Sequence, residues 1–222
     1  MFKNKKYNII FSIVCNLVIV VLTVISVASF FISGGKGNME VTGAVCFRYF
    51  TIDSNIFLAL SSIAVIVSEV KSLKNRSYTL GGFATTVKYI GTVAISVTFF
   101  TVIFFLGPVS GYLLMIEGVN LFMHIINPVL AVASFLLFEI GHIIPTKFAI
   151  FGVLPTFIYG CVYLYNVLIS EIWPDFYNFN MGGKWYISVI AMLLGTYLIA
   201  LCWQFIHKKA SKASRGSAGT TL

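Results

Sequence analysis

Long apolar runs alternate with short polar stretches along the whole chain, at about 8–33, 52–70, 87–107, 119–140, 148–170 and 185–206. Each is close to the roughly 20 residues that an α-helix needs to cross ~30 Å of hydrocarbon. The first run, Ile9 to Ile32, is longer than the ~7–15 residues of a signal-peptide core, so it reads as a retained helix. The connecting stretches are short, which favours antiparallel packing of successive helices. The pattern predicts an all-α, polytopic membrane protein: one six-transmembrane-helix bundle over residues 1–207. A small, polar, basic tail over 208–222 is expected to be disordered.

Composition agrees with this picture. Of the 222 residues 59% are hydrophobic and 10% charged, and mean hydropathy is +0.95. Soluble domains carry about a quarter charged residues. All but Lys36, Arg48 and Lys184 of the 15 Lys and Arg residues fall on the side of the two chain ends, so the positive-inside rule predicts both termini in the cytoplasm. That bias accounts for the net charge of +8 and implies contact with anionic lipid headgroups rather than a nucleic-acid partner. It also counts Lys88 among the cytoplasmic cations and leaves almost no charge inside the membrane. Cys15, Cys46, Cys161 and Cys202 show no metal-ligand spacing and no evident disulfide partner. No metal or cofactor is expected.

The outer loops are unusual. One contains the apolar run Leu113 to Ile116; another carries Trp173, Phe176, Tyr177 and Phe179, which suit the headgroup level. Pro128 and Pro155 fall inside the fourth and fifth runs and should bend those helices. No internal repeat of the kind found in inverted-repeat transporters is evident.

Polar residues within the runs are expected to face the bundle interior. "FRYFTIDSNIF", residues 47–57, puts Thr51 and Asn55 on one face with Leu58 and Ser62, and Asp53 on another. The fourth run places Asn120, His124 and Asn127 at i, i+4 and i+7; the fifth places Tyr159, Tyr163, Asn166 and Ser170 on one stripe. Both Thr51 and His124 start from the outer side, His124 about 9 Å in at ~1.5 Å per residue, so they share a depth. His142 and His207 belong to the opposite boundary. A threonine hydroxyl needs an adjacent base to become a nucleophile, and a neutral imidazole is the usual one. Asn55, Asn120 or Asn127 would orient the ring or donate to an oxyanion. Arg48 would hold a carboxylate, unless it pairs with Asp53. On residues alone other readings stay open: Thr51 as a helix N-cap, the Asn and His side chains as interhelical bonds, and the tyrosines as packing.

"YFTIDSNIF" followed by "NLFMHIINPVLAVASFLLFE" resembles the androgen-induced, FAR-17a-like family of membrane proteins and its bacterial Pr6Pr branch. "LPTFIYGCVYLYNVL" and "WPDFYNFNMGGKWY" resemble that branch's Tyr-rich fifth span and its aromatic outer loop. The resemblance runs in order from Phe47 to about Tyr197. Animal members are six-helix threonine hydrolases of fatty acid esters of hydroxy fatty acids. The resemblance therefore implies Thr51 as nucleophile, His124 as base, a lipid ester or fatty acid as ligand, and a bacterial plasma membrane as location. The rival expectation is a small transporter or lipid-binding protein that uses the same polar cavity without catalysis.

Overall fold

A computed structural model describes residues 5–37, 39–140 and 142–216. The described residues are 81% helical, with no strand among them. Among the described residues, five helices are long and apolar enough to cross a membrane: α1 (Lys5–Ile32), α2 (Phe50–Lys74), α3 (Gly82–Ser110), α6 (Thr146–Ile169) and α7 (Trp185–Ser214). Between α3 and α6 lie the short α4 (Tyr112–Ile116) and the apolar α5 (Phe122–Leu137), the latter below the length of the other five. Ser12 and Asn16, in the first half of α1, and His207, near the end of α7, meet at Glu139, and the end of the bundle they mark is called here the terminal end. Helix α7 continues through 208–214, which had been expected to be disordered. Residues 217–222 of that tail lie outside the described residues.

Helix α3 is the centre of the bundle and touches α2, α5, α6 and α7. Its inner stretch from Gly91 to Thr98 is buried throughout, and its residues are small or β-branched. A Cβ on Gly91 would come within 2.7 Å of Ser61 Oγ, so glycine is what lets α2 and α3 approach so closely. Thr92 and Ser96 hide their hydroxyls by donating to carbonyls one turn back, at Lys88 and Thr92, as hydroxyls in apolar helices do. Across the middle of the bundle Ile19, Leu58, Ile95 and Ala131, from α1, α2, α3 and α5, close into a fully buried apolar layer. Polar groups collect on both sides of it.

Three helices contain a π-helical turn: Val102–Leu106 in α3, Phe122–Ile126 in α5 and Tyr165–Ile169 at the end of α6. The first two have a common cause. Pro108 and Pro128 follow them, and a proline brings no N–H to the carbonyl four residues back. The register widens instead, with Gly107 N–H bonding Val102 O and Asn127 N–H bonding Phe122 O. Such turns recur at functional positions because they re-aim side chains. The one in α5 contains His124.

Candidate active site

Thr51 sits at the second position of α2, whose N-cap is Tyr49. Its hydroxyl does not cap the helix; Thr51 Oγ1 lies 3.3 Å from His124 Nε2, with both residues buried. The other ring nitrogen settles the direction of that contact. His124 Nδ1 lies 2.5 Å from the carbonyl oxygen of Met115. A carbonyl only accepts, so Nδ1 carries the ring proton and Nε2 turns its lone pair toward the threonine. Hydroxyl, imidazole and a backbone acceptor behind it reproduce the nucleophile–base–orienter relation of hydrolytic triads, with a carbonyl in place of a carboxylate.

The third member comes from α4, which carries the apolar run Leu113 to Ile116. Leu113 is exposed while Met115 is buried, so α4 turns one side inward and delivers its carbonyl. The preceding outer loop braces it. Gly37 has φ +67° and a Cβ there would meet Leu114 O at 2.3 Å, while Asn120 Nδ2 donates to Lys36 O at 2.8 Å. Asn120 therefore fastens two loops together.

Asn55 and Asn127 have positioning roles. Asn55 Nδ2 donates to Thr51 O at 2.8 Å and to Met123 O at 3.2 Å, tying the turn of α2 that holds Thr51 to the π turn that holds His124. Asn127 Nδ2 donates to Asn55 Oδ1 at 2.8 Å and to Thr23 Oγ1 at 3.2 Å. The amide hydrogens of both are engaged within the protein. They are not placed as oxyanion donors, and neither bonds the imidazole.

On its far side from His124, Thr51 lines a cavity of about 100 Å³ between α2, α3, α6 and α7. Thr98, Thr101, Thr156, Ser188, Tyr159, Tyr163 and Tyr177 share the lining, and the rest of it is apolar. A groove of about 440 Å³ runs beside it, lined by Phe57, Ile90, Leu154 and Ile158. Phe50 and Tyr159, with ring centroids 5.1 Å apart, border both spaces and form the partition between them.

The aromatic outer loop closes the top. Tyr177 OH accepts from Phe50 N–H at 3.1 Å, supplying the N-terminal end of α2 with the acceptor that Tyr49 does not provide. Burial holds the Tyr177 phenol well above its ordinary pKa, so it stays neutral. Tyr159 OH donates to Arg48 O at 2.6 Å, and Tyr163 OH donates to Asp175 Oδ1 at 2.6 Å. The same carboxylate accepts the N–H groups of Phe179 and Asn180 at 2.8 and 2.9 Å. Asp175 thus folds the loop over the cavity and fastens it to α6.

Several expectations are corrected. Arg48 and Asp53 do not pair: the Arg48 guanidinium sits over the Trp173 ring at 5.8 Å, and Asp53 lines the outer groove. The Arg48 side chain is not among the lining of the Thr51 cavity. Asn166 and Ser170 bond carbonyls of their own helix because the π turn at 165–169 breaks their stripe. Lys88 is not a cytoplasmic surface cation. It is fully buried and forms an ion pair with Glu139, Nζ to Oε1 at 3.9 Å. All four cysteines are free.

No family model matches the chain, and no curated protein or solved structure shows significant similarity to it. The site must therefore be read on its own geometry.

Proposed function

We propose that the protein is an integral-membrane ester hydrolase of the threonine type, acting on lipid esters such as fatty acid esters of hydroxy fatty acids. The observation that carries the reading is the buried Thr51–His124–Met115 carbonyl relay opening on one side to an apolar cavity. His124 Nε2 takes the proton of Thr51 Oγ as that oxygen attacks the ester carbonyl carbon. The tetrahedral intermediate collapses with breakage of the ester C–O bond, and the imidazolium returns the proton to the departing alkoxide, releasing an alcohol. Water, deprotonated by the same imidazole, then attacks the acyl-threonine and frees the fatty acid and the Thr51 hydroxyl. The hydroxyl of Thr101, which lines the cavity with Thr51, is a donor available to a developing oxyanion, whereas that of Thr98 is bonded to Ser54 Oγ at 2.8 Å. Acyl chains would enter from lipid past the Phe50–Tyr159 partition.

This reading takes α5 as a sixth span, which puts both termini on one side, and the lysine and arginine bias makes that side the cytoplasm. The site then lies in the outer half of the bilayer, in a bacterial plasma membrane if the resemblance to the Pr6Pr branch holds. The motif resemblance also supports Thr51 and His124 in these roles.

A fluorophosphonate probe tests the proposal. Covalent labelling is expected in the wild type and lost in Thr51→Ala; labelling of Thr51→Ala at the wild-type level overturns Thr51 as nucleophile. The transporter reading gains from the buried Lys88–Glu139 pair, since charges inside a bundle commonly mark ion pathways. It predicts a bound acyl ligand with no covalent adduct and no ester turnover.

A further inference from the structure

On the other side of the apolar layer, toward the terminal end, lies a second buried polar cluster that no hydrolytic step uses. It is built on α1, where Asn8, Ser12 and Asn16 are buried on one face. Lys88 of α3 donates to Asn16 Oδ1 at 2.6 Å and to Ser62 Oγ at 3.1 Å. Glu139 Oε1 accepts from Asn16 Nδ2 at 2.8 Å and from Ser12 Oγ at 3.4 Å, and pairs with Lys88. Glu69 of α2 is as deeply buried as Glu139 and lies two turns along α2 from Ser62, on the face that meets Lys88. Glu69 Oε2 and Glu139 Oε2 are both buried without a hydrogen-bond partner.

Charge counting then disagrees with three ionised groups. Two carboxylates against one ammonium leave a net negative charge in the bundle, where an uncompensated charge is severely penalised. Glu139, with Asn16, Ser12 and Lys88 converging on one oxygen, has the surroundings of the ionised partner. Glu69 has those of the acid. Among the described residues, the other titratable groups that face this cluster are Cys15 on α1, His207 of α7, whose Nε2 lies 3.0 Å from the Glu139 carbonyl oxygen, and His142 beyond it. None of them brings a second positive charge to Glu69.

We propose that Glu69 is a proton-binding site inside the bundle, holding one exchangeable proton beside the Lys88–Glu139 ion pair. Ile19, Leu58, Ile95 and Ala131 separate this proton from the Thr51 site, so it exchanges with the terminal end. Glu69→Gln reproduces the neutral acid in shape and charge, and its fold should be retained.

Infrared spectroscopy of the full chain in lipid nanodiscs tests this. A carboxylic-acid C=O band is expected at neutral pH, displaced in D₂O and shifted by ¹³C-glutamate labelling in the wild type, which identifies a glutamic acid without any variant. The band should vanish in Glu69→Gln and persist in Asp53→Asn. Absence of the band in the wild type, indifference to the glutamate label, or survival in Glu69→Gln overturns the proposal. So does a thermal stabilisation by sodium over N-methylglucamine that Glu69→Gln removes, since the site would then hold a metal cation in place of the proton.

Discussion

His124 is held between two oxygens of unlike kind: the hydroxyl of Thr51 on Nε2 and the carbonyl of Met115 on Nδ1. The carbonyl fixes the tautomer, and the tautomer makes the ring a base toward Thr51. His124→Gln keeps a polar group of similar reach but offers no comparable base. Ester turnover is expected to fall by about 10²–10⁴-fold, the range of general-base contributions. The loss should appear in kcat, with thermal melting close to wild type. His124→Ala should add a stability loss of about 1–3 kcal/mol by stranding the buried Met115 carbonyl. Equal melting of the two variants would show that the carbonyl contact contributes little.

Pro128 places His124 through the backbone. With alanine at 128 an N–H becomes available to the His124 carbonyl, and α5 can recover the regular i to i−4 register in place of the Phe122–Ile126 π turn. Closing a π turn removes the extra residue from the helix and rotates what precedes it, including the histidine. Pro128→Ala is therefore expected to lower turnover at least about tenfold, on the ground that misplacing a catalytic group by ~1 Å costs up to 10²-fold, while leaving the melting temperature unchanged or higher. Unchanged turnover would mean that the π turn persists without the proline.

Asn55 links the same two turns from the other side, bonding Thr51 O and Met123 O while accepting from Asn127. Asn55→Leu keeps the volume and removes all three bonds, stranding buried backbone carbonyls and one Asn127 N–H. A loss of about 1–3 kcal/mol per stranded group bounds the effect on stability. Turnover should drop with it, since the Thr51–His124 distance is no longer fixed. Asn127→Leu removes one of those bonds and should be the milder change in both readouts. A reversed order of severity in urea or thermal melts would place the strength of the network at Asn127.

Thr51 and His124 were readable in the sequence because helical face and depth are both periodic properties, and two residues beginning from the same side at similar depth must lie at one level. The Met115 carbonyl was not readable, since a backbone acceptor leaves no mark on residue identity; the only trace was an apolar run in a loop. Lys88 was misplaced because counting cations assigns a lysine near a helix end to water, whereas its surroundings depend on the face that α3 turns to α1. The needed signal was present in α1, in the spacing of Asn8, Ser12 and Asn16. Arg48 and Asp53 are close in sequence, but Arg48 ends a 3₁₀ turn before α2 begins, so the two side chains leave in different directions.

The aromatic loop closes the cavity through one carboxylate. Asp175 accepts from Tyr163 OH, Phe179 N–H and Asn180 N–H, and hydrogen bonds to an ionised acceptor contribute about 1.5–3 kcal/mol each. Asp175→Asn retains one oxygen but turns an NH₂ group toward a backbone donor, so at least one of the three bonds becomes a repulsion. The loss should stay local, because the long helices do not depend on this loop for their packing. Hydrogen–deuterium exchange is therefore expected to accelerate over residues 171–184 while α2 and α3 keep wild-type protection, as for a region that opens independently of the core. Fluorophosphonate labelling of Thr51 should become faster as access improves, even as ester turnover falls because the Tyr159 and Tyr163 side of the cavity is no longer fixed. Slower labelling with unchanged exchange would show that the loop holds Thr51 in place instead of covering it.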